Sequence, residues 1–64
     1  MKRQRLLDHL RHHGCQVVGE GARHTRVVNP ANGRRSFVPR HREIGPGLIR
    51  EICRQLEIPV PTEK

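Results

Sequence analysis

Acidic side chains, aromatic rings, cysteines and long apolar runs are all scarce in this 64-residue chain. Each shortage removes a class of function. Six Asp or Glu stand against thirteen Lys or Arg, for a formal net charge of +7 with His neutral. Asp8 is the sole aspartate and the glutamates are scattered, so the clustered carboxylates of a two-metal nuclease are missing. Phe37 is the one ring among Phe, Tyr and Trp, which excludes a bank of base-stacking platforms and leaves polyanion contact to charge and backbone. Cys15 and Cys53 lie 38 positions apart. With His12 and His13 they do not meet the spacing of a tetrahedral zinc site, so no metal is expected. They read instead as reduced, small core hydrophobes of a cytoplasmic protein. No stretch approaches the roughly 20 apolar residues of a membrane span. The basic N-terminus is followed by no apolar run, so a secretory signal is not expected. Phosphate-cradling GxxxxGK loops and nucleophile elbows are absent too.

What the chain has is arginine. Residues 1–32 carry six basic and two acidic side chains and residues 33–64 carry seven and four, so the excess runs through the body rather than a tail. Eleven of the thirteen cations are Arg, whose planar fork suits phosphate better than a Lys point charge. A field of one sign over the whole domain favours a polyanion or an acidic protein partner. The length permits one small domain, residues 1–64, burying only about 60% of the surface its unfolded chain exposes. Its core is expected over about 3–58, with a short flexible tail at 59–64.

The order of elements is α-β-β-β-α. Leu6, Leu7 and Leu10 make a narrow apolar stripe over a helix at 3–13, stopped at Gly14, with His12 and His13 in its last turn as helix-end surface. A first strand follows at 15–19, with Cys15 and Val17 on one face, and Glu20-Gly21 forms the hairpin connection. The second strand, 22–29, has Ala22, His24, Arg26 and Val28 on one face and Arg23, Thr25 and Val27 on the other. Which face is buried stays open. Asn29-Pro30-Ala31-Asn32-Gly33 is a turn. The third strand, 34–38, ends at Pro39, which cannot donate to a ladder. Residues 40–45 read as loop. Pro46 opens a second helix at its first position, and Leu48, Ile49, Ile52, Cys53 and Leu56 give it a wide apolar face through 57. Pro59 and Pro61 prevent its continuation. Two helices on one side of a three-stranded antiparallel sheet make a two-layer α+β domain whose other sheet face is open to solvent or ligand.

Histidine and arginine are the remaining candidates for chemistry. His24 follows the presumed hairpin, flanked by Arg23 and Arg26. Histidine moves protons near neutrality, and RNA brings its own nucleophile, the 2′-OH. A metal-free ribonuclease therefore needs a proton carrier and cations for the charge on the phosphorane oxygens. By residue type alone, His24 reads more readily as an ordinary solvent-facing strand residue than as a proton carrier. His41, in the loop after Pro39 and Arg40, is either a second proton donor or loop surface.

The segments GARHT, VNPANGRRSFVPRHREI and LIREICRQLEIP, in that order and spacing, resemble the HicA (YcfA-like) family of small toxins from about Leu6 to Pro59. The matching positions are Gly14, His24, Asn29-Pro30, Gly33-Arg34, Val38-Pro39-Arg40-His41, Glu43-Ile44 and 48–56. The resemblance implies a fold like that of double-stranded-RNA-binding domains and metal-independent cleavage of mRNA. It implies His24 as catalytic residue. From the His–Arg cluster on that scaffold, Arg23 and Arg26 are expected at the RNA phosphates, with Arg34, Arg35, Arg40 and His41 as secondary contacts. The resemblance also implies a type II toxin–antitoxin setting, with a HicB-type antitoxin protein over the catalytic surface. Two features depart from the family's pattern. Ala22-Arg23-His24 stands where Gly-Ser-His is common, altering how the backbone approaches phosphate. Arg26 and Val27 occupy positions where an aromatic is frequent. The rival function is a basic module that binds RNA, or an antitoxin, without cutting.

Overall fold

The computed structural model describes residues 1–21 and 23–61. Ala22, expected beside His24 on its strand face, and 62–64 of the expected tail lie outside the described residues. Helix α1 spans Arg3–His12, followed by strands β1 (Gln16–Glu20), β2 (His24–Asn29) and β3 (Arg34–Pro39) and helix α2 (Pro46–Leu56). The strands form one antiparallel sheet in the order β1-β2-β3. The α-β-β-β-α reading of the sequence is thus the observed architecture.

Leu6, Leu7 and Leu10 of α1 meet Ile49, Ile52, Cys53 and Leu56 of α2 in one core, closed by Val27, Val38, Cys15 and Ile44. Each fully buried aliphatic chain in it contributes about 1.5–3 kcal/mol. Leu48, expected on the apolar face of α2, is exposed. At 100° per residue it sits about a quarter-turn off the stripe of Ile49, Ile52, Cys53 and Leu56. Ile44, expected in a loop, is fully buried. Its N–H donates to the Met1 carbonyl at 2.8 Å, beside a Lys2–Glu43 bridge that ties both ends of the region together. The cysteines are free and buried. Burial pushes both thiols up, and Cys53 is pushed further by its neighbour Cys15, so neither is disposed to act as a nucleophile.

Both helices end by the same device. The N–H groups of Gly14 and Cys15 reach back to the carbonyls of Arg11 and Leu10, each at 2.9 Å. Gly14 takes the φ of +87° that this reversal requires. At the end of α2, Glu57 adopts the left-handed conformation and Ile58 N–H donates to the Cys53 carbonyl at 3.0 Å. The helix therefore stops one residue before the expected 57. Asn29 and Asn32, from the β2–β3 turn, both donate their amides to the Leu56 carbonyl, at 2.8 and 3.2 Å. The Asn-Pro-Ala-Asn-Gly segment is thus a turn and a remote helix cap at once.

Strand β1 carries a bulge. Val17 opposes Val27 and Gly19 opposes Arg26, leaving Val18 as the extra residue. On β2, Thr25, Val27 and Asn29 are buried against the helices, whereas His24 and Arg26 are exposed and Val28 half-buried. This settles the face left open by the sequence pattern. Strand β3 includes Pro39, one residue beyond the expected end, opposite His24. Its missing N–H strands no acceptor there, because the His24 carbonyl takes the Gly21 N–H at 2.8 Å.

Candidate nucleic-acid interface

The sheet face turned away from the helices carries Gln16, Val18, Gly19, His24, Arg26, Val28, Arg35 and Phe37, and no carboxylate among the described residues. The five described carboxylates, Asp8, Glu20, Glu43, Glu51 and Glu57, all sit in ion pairs. Arg23, Arg26 and Arg35 are exposed and have no such pair among the described residues. Their charge is therefore uncompensated on the open side.

His24 is the first residue of β2, directly after the hairpin. Two shallow clefts flank it. One, of about 400 Å³, is bordered by Glu20, Arg23, Arg26 and Phe37. The other, of about 340 Å³, is bordered by Arg23, Pro39, Arg40 and His41. Arg23 borders both, and His41 shares the second with His24. The histidine ring stands 6.1 Å from the Phe37 ring, centre to centre, in an edge-on arrangement of 73°. Arg26 lies along β1: a Cβ on Gly19 would come within 2.7 Å of its guanidinium. The absence of a side chain at Gly19 is what lets Arg26 lie flat beside the cleft.

Beneath the hairpin runs a polar network. Arg3 of α1 donates from Nε to the Pro39 carbonyl at 3.1 Å and from its other arm to the Thr25 hydroxyl. That hydroxyl donates to Glu20 at 2.9 Å, and Arg40 donates to the same carboxylate oxygen at 2.8 Å. The Thr25 hydrogen bond first, then the bond and charge of Arg40 and the charge of Arg3, hold the Glu20 carboxyl below its ordinary range. It stays ionised at neutral pH and binds Arg40 to the end of β1. Arg40 is thus in the cleft but already partnered.

The other sequence candidates separate. Arg34 opposes Asn29 at the far end of the sheet, five residues along β2 from His24, or about 17 Å at strand rise. There it pairs with Glu57 at 2.6 Å. Arg35 lies on the open face between these ends. The sequence reading missed Phe37, Glu20, Thr25 and Arg3. Phe37 had a signal in the alternation of β3, but its distance from His24 depends on cross-strand register. Among the described residues no three His, Cys, Asp or Glu are grouped to hold a metal ion. His9 and His12 each meet the His13 ring edge-on at the end of α1, and His9 meets the Pro59 carbonyl at 2.7 Å. Partial burial, then His9 and His12, holds His13 below the ordinary imidazole range. No helix among the described residues is long and apolar enough to cross a membrane.

A family model described as the HicA toxin of bacterial toxin-antitoxin systems matches residues 3–58. No curated protein and no solved structure matches the chain.

Proposed function

The chain belongs to the HicA toxin family of bacterial toxin–antitoxin systems, and from that premise we propose that it is a metal-independent endoribonuclease that cuts mRNA through His24. The observation that carries this reading is an exposed histidine at the head of β2, bordered by Arg23 and Arg26, which have no ion-pair partner among the described residues, at the edge of a sheet face without described carboxylates. RNA docks on that face by charge. His24 acts as general base on the ribose 2′-OH, or as general acid at the leaving 5′-oxygen. The 2′-oxygen bonds to phosphorus and the bond from phosphorus to the 5′-oxygen breaks, leaving a 2′,3′-cyclic phosphate and a 5′-hydroxyl. Arg23 and Arg26 stabilise the extra charge on the phosphorane oxygens. His41, which borders the same cleft as His24, serves as the second proton carrier. Arg40, held by Glu20, shapes the cleft wall and adds a weaker field. Arg35, and beyond it Arg34, contact the strand further from the cut.

A HicB-type antitoxin with an acidic surface covers the same open face and so competes with RNA. The test is cleavage of single-stranded RNA by purified protein in excess chelator, beside His24→Ala. Parent cleavage in chelator with an inert variant supports the reading. Equal cleavage by both sinks the role of His24. Restoration of activity by magnesium alone sinks metal independence. Salt-sensitive RNA binding with no products from either protein identifies a binding module instead.

A further inference from the structure

We propose that Phe37 is a stacking platform for one base of the RNA, seating the nucleotide whose phosphate reaches His24; this rests on the RNA substrate proposed above. Three observations converge on it. Phe37 is 56% exposed, although it is the largest apolar side chain in the protein and β3 has a buried face available to it. It is directly opposite Arg26 in the β2–β3 register, two residue pairs along the ladder from His24 and so next to it on the same face. It also walls a trough of about 330 Å³ on the open face, together with Val18, Val28, Arg26 and Arg35. The trough joins an apolar wall and floor to two guanidinium groups, with no carboxylate among its lining residues.

That combination matches a nucleotide better than a phosphate alone. A phosphate needs the arginines but gains nothing from Phe37, Val18 or Val28. A base has apolar π-faces to lay against the ring and the valines, and its phosphate brings the charge that Arg26 answers. An acidic protein segment would also satisfy the charges. It would not require an aromatic beside the proton carrier, where the His24 ring already stands edge-on to Phe37. Stacking tolerates every base, so the platform selects unpaired over paired RNA rather than one sequence. Base-paired RNA has no free face to offer it.

The chain has no Trp or Tyr, so Phe37→Trp introduces a lone fluorophore at the site. The probes are a 2′-O-methyl RNA oligonucleotide, which binds but lacks the nucleophile, and polyphosphate, which has charge without bases. Stacking predicts that the oligonucleotide quenches the Phe37→Trp emission and polyphosphate does not. It also predicts that Phe37→Ala weakens oligonucleotide binding roughly 5- to 150-fold, the range of a lost base–aromatic stack, with polyphosphate binding and melting temperature unchanged. Equal quenching by both probes, or oligonucleotide binding that ignores Phe37→Ala, overturns the proposal. If Phe37→Ala spares RNA but weakens the antitoxin complex, the residue serves protein docking and the proposal fails. Cleavage of unmodified RNA by the parent is scored separately. Stacking without cleavage would sink the endonuclease reading alone, and cleavage indifferent to Phe37→Ala would sink the platform alone.

Discussion

Strand β2 has two faces with opposite tasks. Thr25, Val27 and Asn29 point inward, and each is satisfied: Val27 by the core, Thr25 by Arg3 and Glu20, Asn29 by the Leu56 carbonyl. His24 and Arg26, one residue out of phase, point outward and have no ion-pair partner among the described residues. The buried face spends its polar groups on neighbours within the chain. The open face keeps its own available for a ligand. In a domain this small, stability and function are separated by the two-residue period of one strand rather than by distance.

Substitutions on each face should therefore move different observables. The largest effect is expected for His24→Ala: on the proposed mechanism it removes a proton carrier worth about 10²- to 10⁴-fold in rate, so RNA cleavage should fall by that factor while thermal melting stays put. A parallel loss of stability would mean that the faces are not separable. Next is Leu56→Ala, which opens a cavity where sheet and helices meet, at a cost of about 2–5 kcal/mol. Urea titration should show a large fall in midpoint. Asn29→Ala leaves the Leu56 carbonyl with only the longer Asn32 bond and removes the acceptor for the Ala31 N–H. A loss of about 1–3 kcal/mol is expected, again by urea titration, with RNA affinity unchanged per folded molecule.

The smallest effect concerns Glu20, which belongs to the inward set although it sits at the rim. Its folded pKa lies below the ordinary carboxylate value. Its stabilisation is therefore complete above the unfolded pKa and is lost as pH falls through the folded one. Melting curves of the parent and Glu20→Gln should differ by a constant margin at neutral pH and converge in acid. A margin that grows as pH falls would contradict the network seen beneath the hairpin.

The fold class was legible because helical and strand periodicities are interrupted where the chain turns: at Gly14, at Asn29 to Gly33, and at Gly45-Pro46. Leu6, Leu7 and Leu10 announce a buried stripe locally, and so do Ile49, Ile52 and Leu56. The site was legible only in part. His24 and its adjacent arginines share a stretch of chain, so local sequence brings them together. Phe37 approaches His24 only through the β2–β3 register, which the length of the turn decides. Arg34 and Arg40 look alike as free cations in the sequence. Each is engaged by a glutamate, Glu57 or Glu20, that is 23 or 20 residues away. Long-range partners of that kind leave no periodic trace. Nor does the role of Asn29 and Asn32 in capping α2, since the acceptor belongs to a helix that has not yet begun where the turn is read.

The bulge at Val18 has a consequence for insertions and deletions. In an unbroken strand, alternation would send Val17 inward, Gly19 inward and Glu20 outward, onto the same side as Arg26. The extra residue shifts the phase, so that Gly19 lies under Arg26 and Glu20 is opposite Thr25. Deleting Val18 would remove the bulge and keep that phase, with Gly19 still opposite Arg26 and Glu20 still opposite Thr25. The damaging change is the reverse one: a ladder that took up Val18 as a paired residue, opposite Arg26, would turn Glu20 outward beside His24 and close the gap that Gly19 leaves for the guanidinium. One unpaired valine is therefore what keeps an internal counter-ion off the open face.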